Sequence, residues 1–170
     1  MLPTNHYDHI LHSGKYYVNS LSGSTYVDGE AELVIANGLT MSGGDQLTIA
    51  QTGAKLKVYV GGTSCVLNGN AVINESGFAG NFILRALDSV TSMTYNGNGT
   101  FSGVLVAPYA DAVMNGGGAS GIVDFTGACI VNSVVMNGHF KFHYDEALGR
   151  LPPDGRILIT SWDEVSPDTP

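Results

Sequence analysis

The chain has 170 residues, a length for one domain that buries roughly two-thirds of its unfolded surface. Hydrophobic residues make up 44% and charged residues only 13%, so a disordered chain is excluded. The net charge of −8, with seven Lys and Arg in all, excludes a phosphate-tracking surface, and nucleic acid is not an expected partner.

At the start, Met1-Leu2-Pro3-Thr4 lacks the apolar segment of a leader and reads as the beginning of an excised fragment. Any leader or anchor is expected upstream. His6, His9 and His12, with Asp8, recur at intervals of three. On a helix only His9 and His12 would lie near one face, so the expected role is a solvated cap, not a metal site. No metal and no cofactor is assigned.

Short apolar runs follow in order: 32–36, 46–50, 56–60, 82–86, 103–107, 112–114, 121–125, 128–131 and 134–136. Each is three to five residues and rich in β-branched side chains, as short strands are. None shows the i, i+3, i+4, i+7 spacing of an amphipathic helix. Several are continuously apolar, which predicts strands covered on both sides.

Between them fall turn residues, with 23 glycines against about 12 expected. Asn-Gly occurs at Asn68-Gly69, Asn115-Gly116 and Asn137-Gly138, and also at Asn37-Gly38, Asn96-Gly97 and Asn98-Gly99. These are read as turn residues that tolerate positive φ. Because Asn-Gly also marks hairpins, an antiparallel sandwich is the alternative fold.

Two features favour a solenoid. The strands are too short and numerous for seven-stranded layers. They also recur in blocks led by Leu33, Leu56, Phe82, Gly103 and Gly121, with a second set near Leu47, Cys65, Met93, Ala112 and Cys129. A stride of ~20 residues suits a coil with two or three strands per turn. Cys65 and Cys129 would then share a strand position ~14 Å apart, beyond disulfide reach, and are expected to be buried free thiols.

Catalytic signatures are missing: there is no G-x-S-x-G elbow and no phosphate-cradling loop. His139 and His143 lie four apart in a strand, too far for joint ligation. Glu75, Asp88, Asp111 and Asp124 sit at unlike places in their blocks, so no catalytic residue is assigned and the chain is read as a non-enzyme. Tyr16, Tyr17, Tyr26, Tyr59, Tyr95, Tyr109 and Phe101 are read first as packing residues and second as a sugar-stacking strip. The single threonines Thr40, Thr48, Thr63, Thr91, Thr94 and Thr100 lack the T-x-T repeat of an ice-binding face.

No stretch reaches the ~18 apolar residues of a membrane span, so no direct span is expected. The domain is placed at 1–162, with an N-terminal cap over 1–23 and a C-terminal cap over 144–162. An acidic, proline-bearing tail follows at 163–170. The apolar stretch Arg156-Ile157-Leu158-Ile159-Thr160-Ser161-Trp162 is read as part of that last cap.

Phe101-Ser102-Gly103-Val104-Leu105-Val106-Ala107-Pro108-Tyr109-Ala110 and Asp124-Phe125-Thr126-Gly127-Ala128, closing on Phe142-His143-Tyr144-Asp145-Glu146-Ala147-Leu148, carry a resemblance. They resemble an uncharacterised bacterial domain family found at the C-termini of pilus-assembly (PilX-like) and secreted surface proteins. The chain is more distantly similar to bactofilin-type solenoids. The resemblance implies an all-β, single-stranded right-handed parallel β-helix of about five to six irregular coils with short end caps. It also implies an extracellular or cell-surface place, with other surface or pilus proteins, or copies of itself, as partners. His143, Tyr144, Asp145 and Glu146 are expected to tie down the last coil. The expected function is thus a non-catalytic structural or adhesive module, with self-polymerisation as one mode. The alternative is a carbohydrate-binding or carbohydrate-cleaving β-helix, with glycans as partners.

Overall fold

Apolar residues in the strands alternate with polar or partly covered ones, and that period of two sets which side faces inward. In β4 (Glu30–Ile35) the inward residues are Ala31, Leu33 and Ile35; in β7 (Lys55–Val60) they are Leu56, Val58 and Val60. The computed structural model describes residues 7–41, 44–69, 71–97, 99–116 and 123–150. Outward-facing Val34, Lys57 and Tyr59 are half-covered by their ladder neighbours. The expectation of strands covered on both sides is therefore met only in places: Leu47–Ile49 and Phe82–Leu84 are buried throughout, whereas strands such as β4 and β7 bury one face only.

Every strand pair among the described residues is parallel, which sets the antiparallel sandwich aside. A four-stranded sheet runs β1 (His9–Leu11), β3 (Thr25–Val27), β6 (Leu47–Ile49), β9 (Val72–Asn74). A second sheet runs β2 (Gly14–Val18), β4, β7, β10 (Phe82–Ala86), β12 (Phe101–Asn115), β11 (Ser92–Gly97), β8 (Ser64–Gly69), β5 (Leu39–Met41). Its path turns back at β12 because that strand spans two sides of the molecule. The first half of β12 pairs β10 and the second half pairs β11. β13 (Val123–Asn137) lies along both halves, with the register shifting between Ala107 and Asp111, and β14 (Phe140–Tyr144) pairs its start. The fold is a parallel β-solenoid of about four turns.

Stacked rungs create the core. Leu33, Val58, Leu84 and Leu105 are successive partners and almost wholly buried. Met41, Leu67, Tyr95 and Met114 form a second such row, and Leu39, Cys65, Met93 and Ala112 a third. Each buried Val, Leu or Met contributes about 1.5–3 kcal/mol, and only because a neighbouring rung covers it.

The register corrects part of the block count. Cys65 pairs Met93, whereas Cys129 pairs Leu105 on the other half of the long strands, and Leu47 belongs to the first sheet. The thiols therefore occupy different sides of the solenoid, because one unbroken strand rounds the corner at 108–110. Both are free; Cys65 is buried and Cys129 half-buried.

Gly127 shows why a glycine is required at one close approach. Its φ is +147°, and a Cβ there would run into the carbonyl oxygen of Gly103 on the rung beneath.

Candidate functional site: the side-chain ladders and Asp145

Parallel rungs place equivalent residues ~4.8 Å apart, so identical side chains at one position can bond or stack down the molecule. The Asn-Gly dipeptides use this spacing. Asn137 Nδ2 donates to Asn115 Oδ1 (2.9 Å), Asn115 Nδ2 to Asn96 Oδ1 (2.7 Å) and Asn96 Nδ2 to Asn68 Oδ1 (2.7 Å). Asn68 Nδ2 closes the series on the Met41 carbonyl at 3.0 Å.

The turn assignment for these residues needs correction. Asn68 and Gly69 lie at the end of β8, and Asn115 and Asn137 are the last residues of β12 and β13. No non-glycine residue among those described has positive φ. Asparagine is at these positions because its amide is both donor and acceptor and can extend a ladder. Gly116 follows β12, with its amide donating to the Asn137 carbonyl, and Gly138 alone of the six assigned residues takes a left-handed φ, +79°.

A second ladder is aromatic. Phe101 stacks on Phe125 with ring centroids 4.7 Å apart and planes 19° off parallel, and Phe125 stacks on Phe142 at 4.8 Å and 14°. Phe82 and Tyr95 meet Phe101 edge-on at 5.9 Å and 5.4 Å. Such pairs contribute about 0.5–1.5 kcal/mol beyond the area they bury. Burial pushes the Tyr95 hydroxyl up to about 12, the Cys65 thiol up to about 12 and the Cys129 thiol up to about 11.

Of the four residues expected to tie down the last coil, Asp145 makes the bonds. Its Oδ2 accepts from the Ala79 amide at 3.2 Å, in the 3₁₀ turn Ala79–Asn81, and its Oδ1 from the Ala147 amide at 3.0 Å. Its own amide donates to the Gly127 carbonyl. His143 Nε2 lies 3.8 Å from Asp124 Oδ1, Tyr144 is exposed, and Glu146 opens the 3₁₀ turn Glu146–Arg150. The stretch 156–162 and the tail 163–170 lie outside the described residues, as does His6.

The remaining polar candidates disperse. His9 bonds the Ser22 carbonyl, His12 pairs with Asp28 at 2.6 Å, and Asp8 accepts from the Ser24 amide. Among the described residues no three His, Cys, Asp or Glu side chains gather as metal ligands. Asp111 accepts from Ser133 Oγ (2.6 Å) and Asn132 Nδ2 (2.8 Å), and those bonds, Ser133's first, hold its carboxyl below the usual range. Tyr95 and Phe101 are core residues, whereas Tyr17 and Tyr109 are exposed.

On one flank a groove of about 420 Å³ is lined by Lys15, Glu30, Glu32, Lys55, Lys57 and Phe78, among others. Lys15 pairs with Glu32 at 3.1 Å and Lys55 with Glu30 at 2.6 Å.

The ladders were missed in the sequence, although the Asn-Gly spacings of 28, 19 and 22 residues are the rung strides themselves; Asp145 was among the residues expected to tie down the last coil, but its partner Ala79 was not. The family model described as "Domain of unknown function (DUF7305)" matches residues 4–151. No curated protein and no solved structure matches the chain.

Proposed function

The chain belongs to the DUF7305 family, and we propose that it is a non-catalytic structural or adhesive module of a bacterial surface or pilus-like assembly. In this reading it is a right-handed coil that works outside the cytoplasm and associates end to end with copies of itself or with other surface proteins. The carrying observation is the Asn68–Asn96–Asn115–Asn137 ladder. Side chains that elsewhere bind or catalyse are committed here to joining rung to rung, which suits a rigid spacer. The Asp145 carboxylate, held by two backbone amides, serves as the clamp of the last coil.

Antibody labelling of intact cells of the native host tests the reading. Signal on unbroken cells is expected; signal only after lysis would overturn it. The charged flank groove favours a second reading, glycan binding, because Phe78 and the Glu30 and Glu32 carboxylates share it. Both carboxylates are paired with lysines, so this reading is of binding and not of cleavage. Chemical-shift changes confined to groove residues on titration with oligosaccharides would support it, and their absence would sink it.

A further inference from the structure

Among the described residues the last rung is built like those beneath it but has no strand on the far side of its second half. Among the described residues β13 meets β14 only over Val123–Gly127, so the outer edge of Ser133–Asn137 faces no strand. Val134 and Met136 continue core rows whose preceding members, Ala112 and Met114, are buried, yet they are 46% and 45% exposed. Ile130 and Val135 are exposed beside them. Ser133-Val134-Val135-Met136-Asn137 carries no charge, no proline and no bulge, the devices that normally protect a strand edge.

We infer that this end is a self-association surface on which two copies of the chain join through their β13 strands, antiparallel across a two-fold axis. The inference deepens the end-to-end part of the proposed function by naming the end and its symmetry. Two features select a second copy. First, the opposite end of the solenoid does not fit: residues 9–15 there present exposed His9, His12 and Lys15, with His12 hydrogen-bonded to the Asp28 carboxylate and Lys15 ion-paired with Glu32. Seating those charges on an apolar edge would desolvate them without return. Second, the edge complements itself. With the axis through Val135, Val134 of one copy lies opposite Met136 of the other on the inward side, and Ser133 opposite Asn137. An axis normal to the sheet keeps inward faces inward, so the two cores become continuous. Such an isologous contact closes at two copies.

The test uses the full chain across about a hundredfold range of concentration in sedimentation velocity, since mass action sets the dimer fraction. A mass that doubles and stops there is expected. Hydrogen exchange on the same samples should protect those 133–137 amides that point away from β12 only when concentrated. Val134→Lys and Met136→Lys should each raise the dissociation constant at least ~10-fold, because each would seat an ammonium opposite the partner copy's apolar Met136 or Val134. Thr94→Lys, on the outward flank of β11, should leave it unchanged.

A monomer at every concentration would overturn the inference. So would protection of those outward-pointing amides that ignores concentration, which would assign the cover to residues 151–170 of the same chain. An open series of ever larger species would overturn the two-fold while leaving end-to-end association standing. Cell-surface labelling reads the wider proposal separately from all three.

Discussion

Met114 and Met136 are the same residue at the same position of adjacent rungs, partners in register, yet one is 1% exposed and the other 45%. Ala112 and Val134 repeat the contrast, as do Leu105 and Cys129. Nothing in the strand's own residues distinguishes the two rungs. In a solenoid, burial is conferred by the next rung, so side-chain energetics depend on position along the stack more than on residue type.

The largest effects test the interior rungs. Phe101 is stacked on Phe125 and met edge-on by Phe82 and Tyr95, so Phe101→Ala should cost ~3–5 kcal/mol in chemical denaturation. Phe142 touches the same ladder from its open side and is 39% exposed; Phe142→Ala should cost only ~1 kcal/mol of burial and stacking. Equal losses would mean that burial in this molecule is not graded along the stack.

The methionine pair sharpens the comparison with residue type held constant. Met114→Ala should cost ~2–5 kcal/mol. Met136→Ala should cost below ~1 kcal/mol in dilute protein, because that side chain is already half in water. A Met136→Ala cost that rises with protein concentration would show the end being covered by a second copy.

Much of this stack was legible in the residues. Runs such as 56–60 and 82–86 are the observed strands, and Leu56 does pair Phe82. What failed was the assignment of sides. An apolar run announces a strand, but Ala107 to Asp111 carries the chain round a corner inside one strand; Pro108 marks that corner in β12, whereas β13 has only Asn132 there. Cys129 was therefore placed on the wrong side. Asn37-Gly38 is the turn it was read as, but the ladder asparagines were given the wrong reason, because turn propensity and ladder formation select the same residue. Asp145 meets Ala79 across 66 residues, a pairing that no local pattern announces.

Amide ladders give smaller effects. Asn96 both donates to Asn68 and accepts from Asn115, and Asn96→Ala would leave each neighbour one bond short in half-buried surroundings. A loss of ~1–3 kcal/mol is expected. Asn137 only donates and is exposed, so Asn137→Ala should cost about 0.5 kcal/mol or less. Paired thermal melts of the two variants read the difference, and the reverse order would remove the ladder as a source of rigidity.

The smallest effect concerns the thiols, Cys65 in an interior rung and Cys129 in the last. Burial raises both above the ordinary value of 9.0, to about 12 and about 11. A thiol whose folded pKa is raised lends stability that is complete below its unfolded pKa. That stability is lost as pH rises through the folded value. Stability should thus be level up to about pH 8.5 and fall steadily towards pH 11–12, with Tyr95 adding to the upper part of the fall. Cys65→Ala should shallow that alkaline slope more than Cys129→Ala does. Burial holds both thiols protonated at pH 8, and the full burial of Cys65 also denies a reagent access. Labelling of the native protein should therefore modify Cys129 first, and Cys65 only through opening of the interior rungs. If Cys65 reacted as fast as Cys129, the interior rungs would be opening as readily as the last one, and position in the stack would confer no protection.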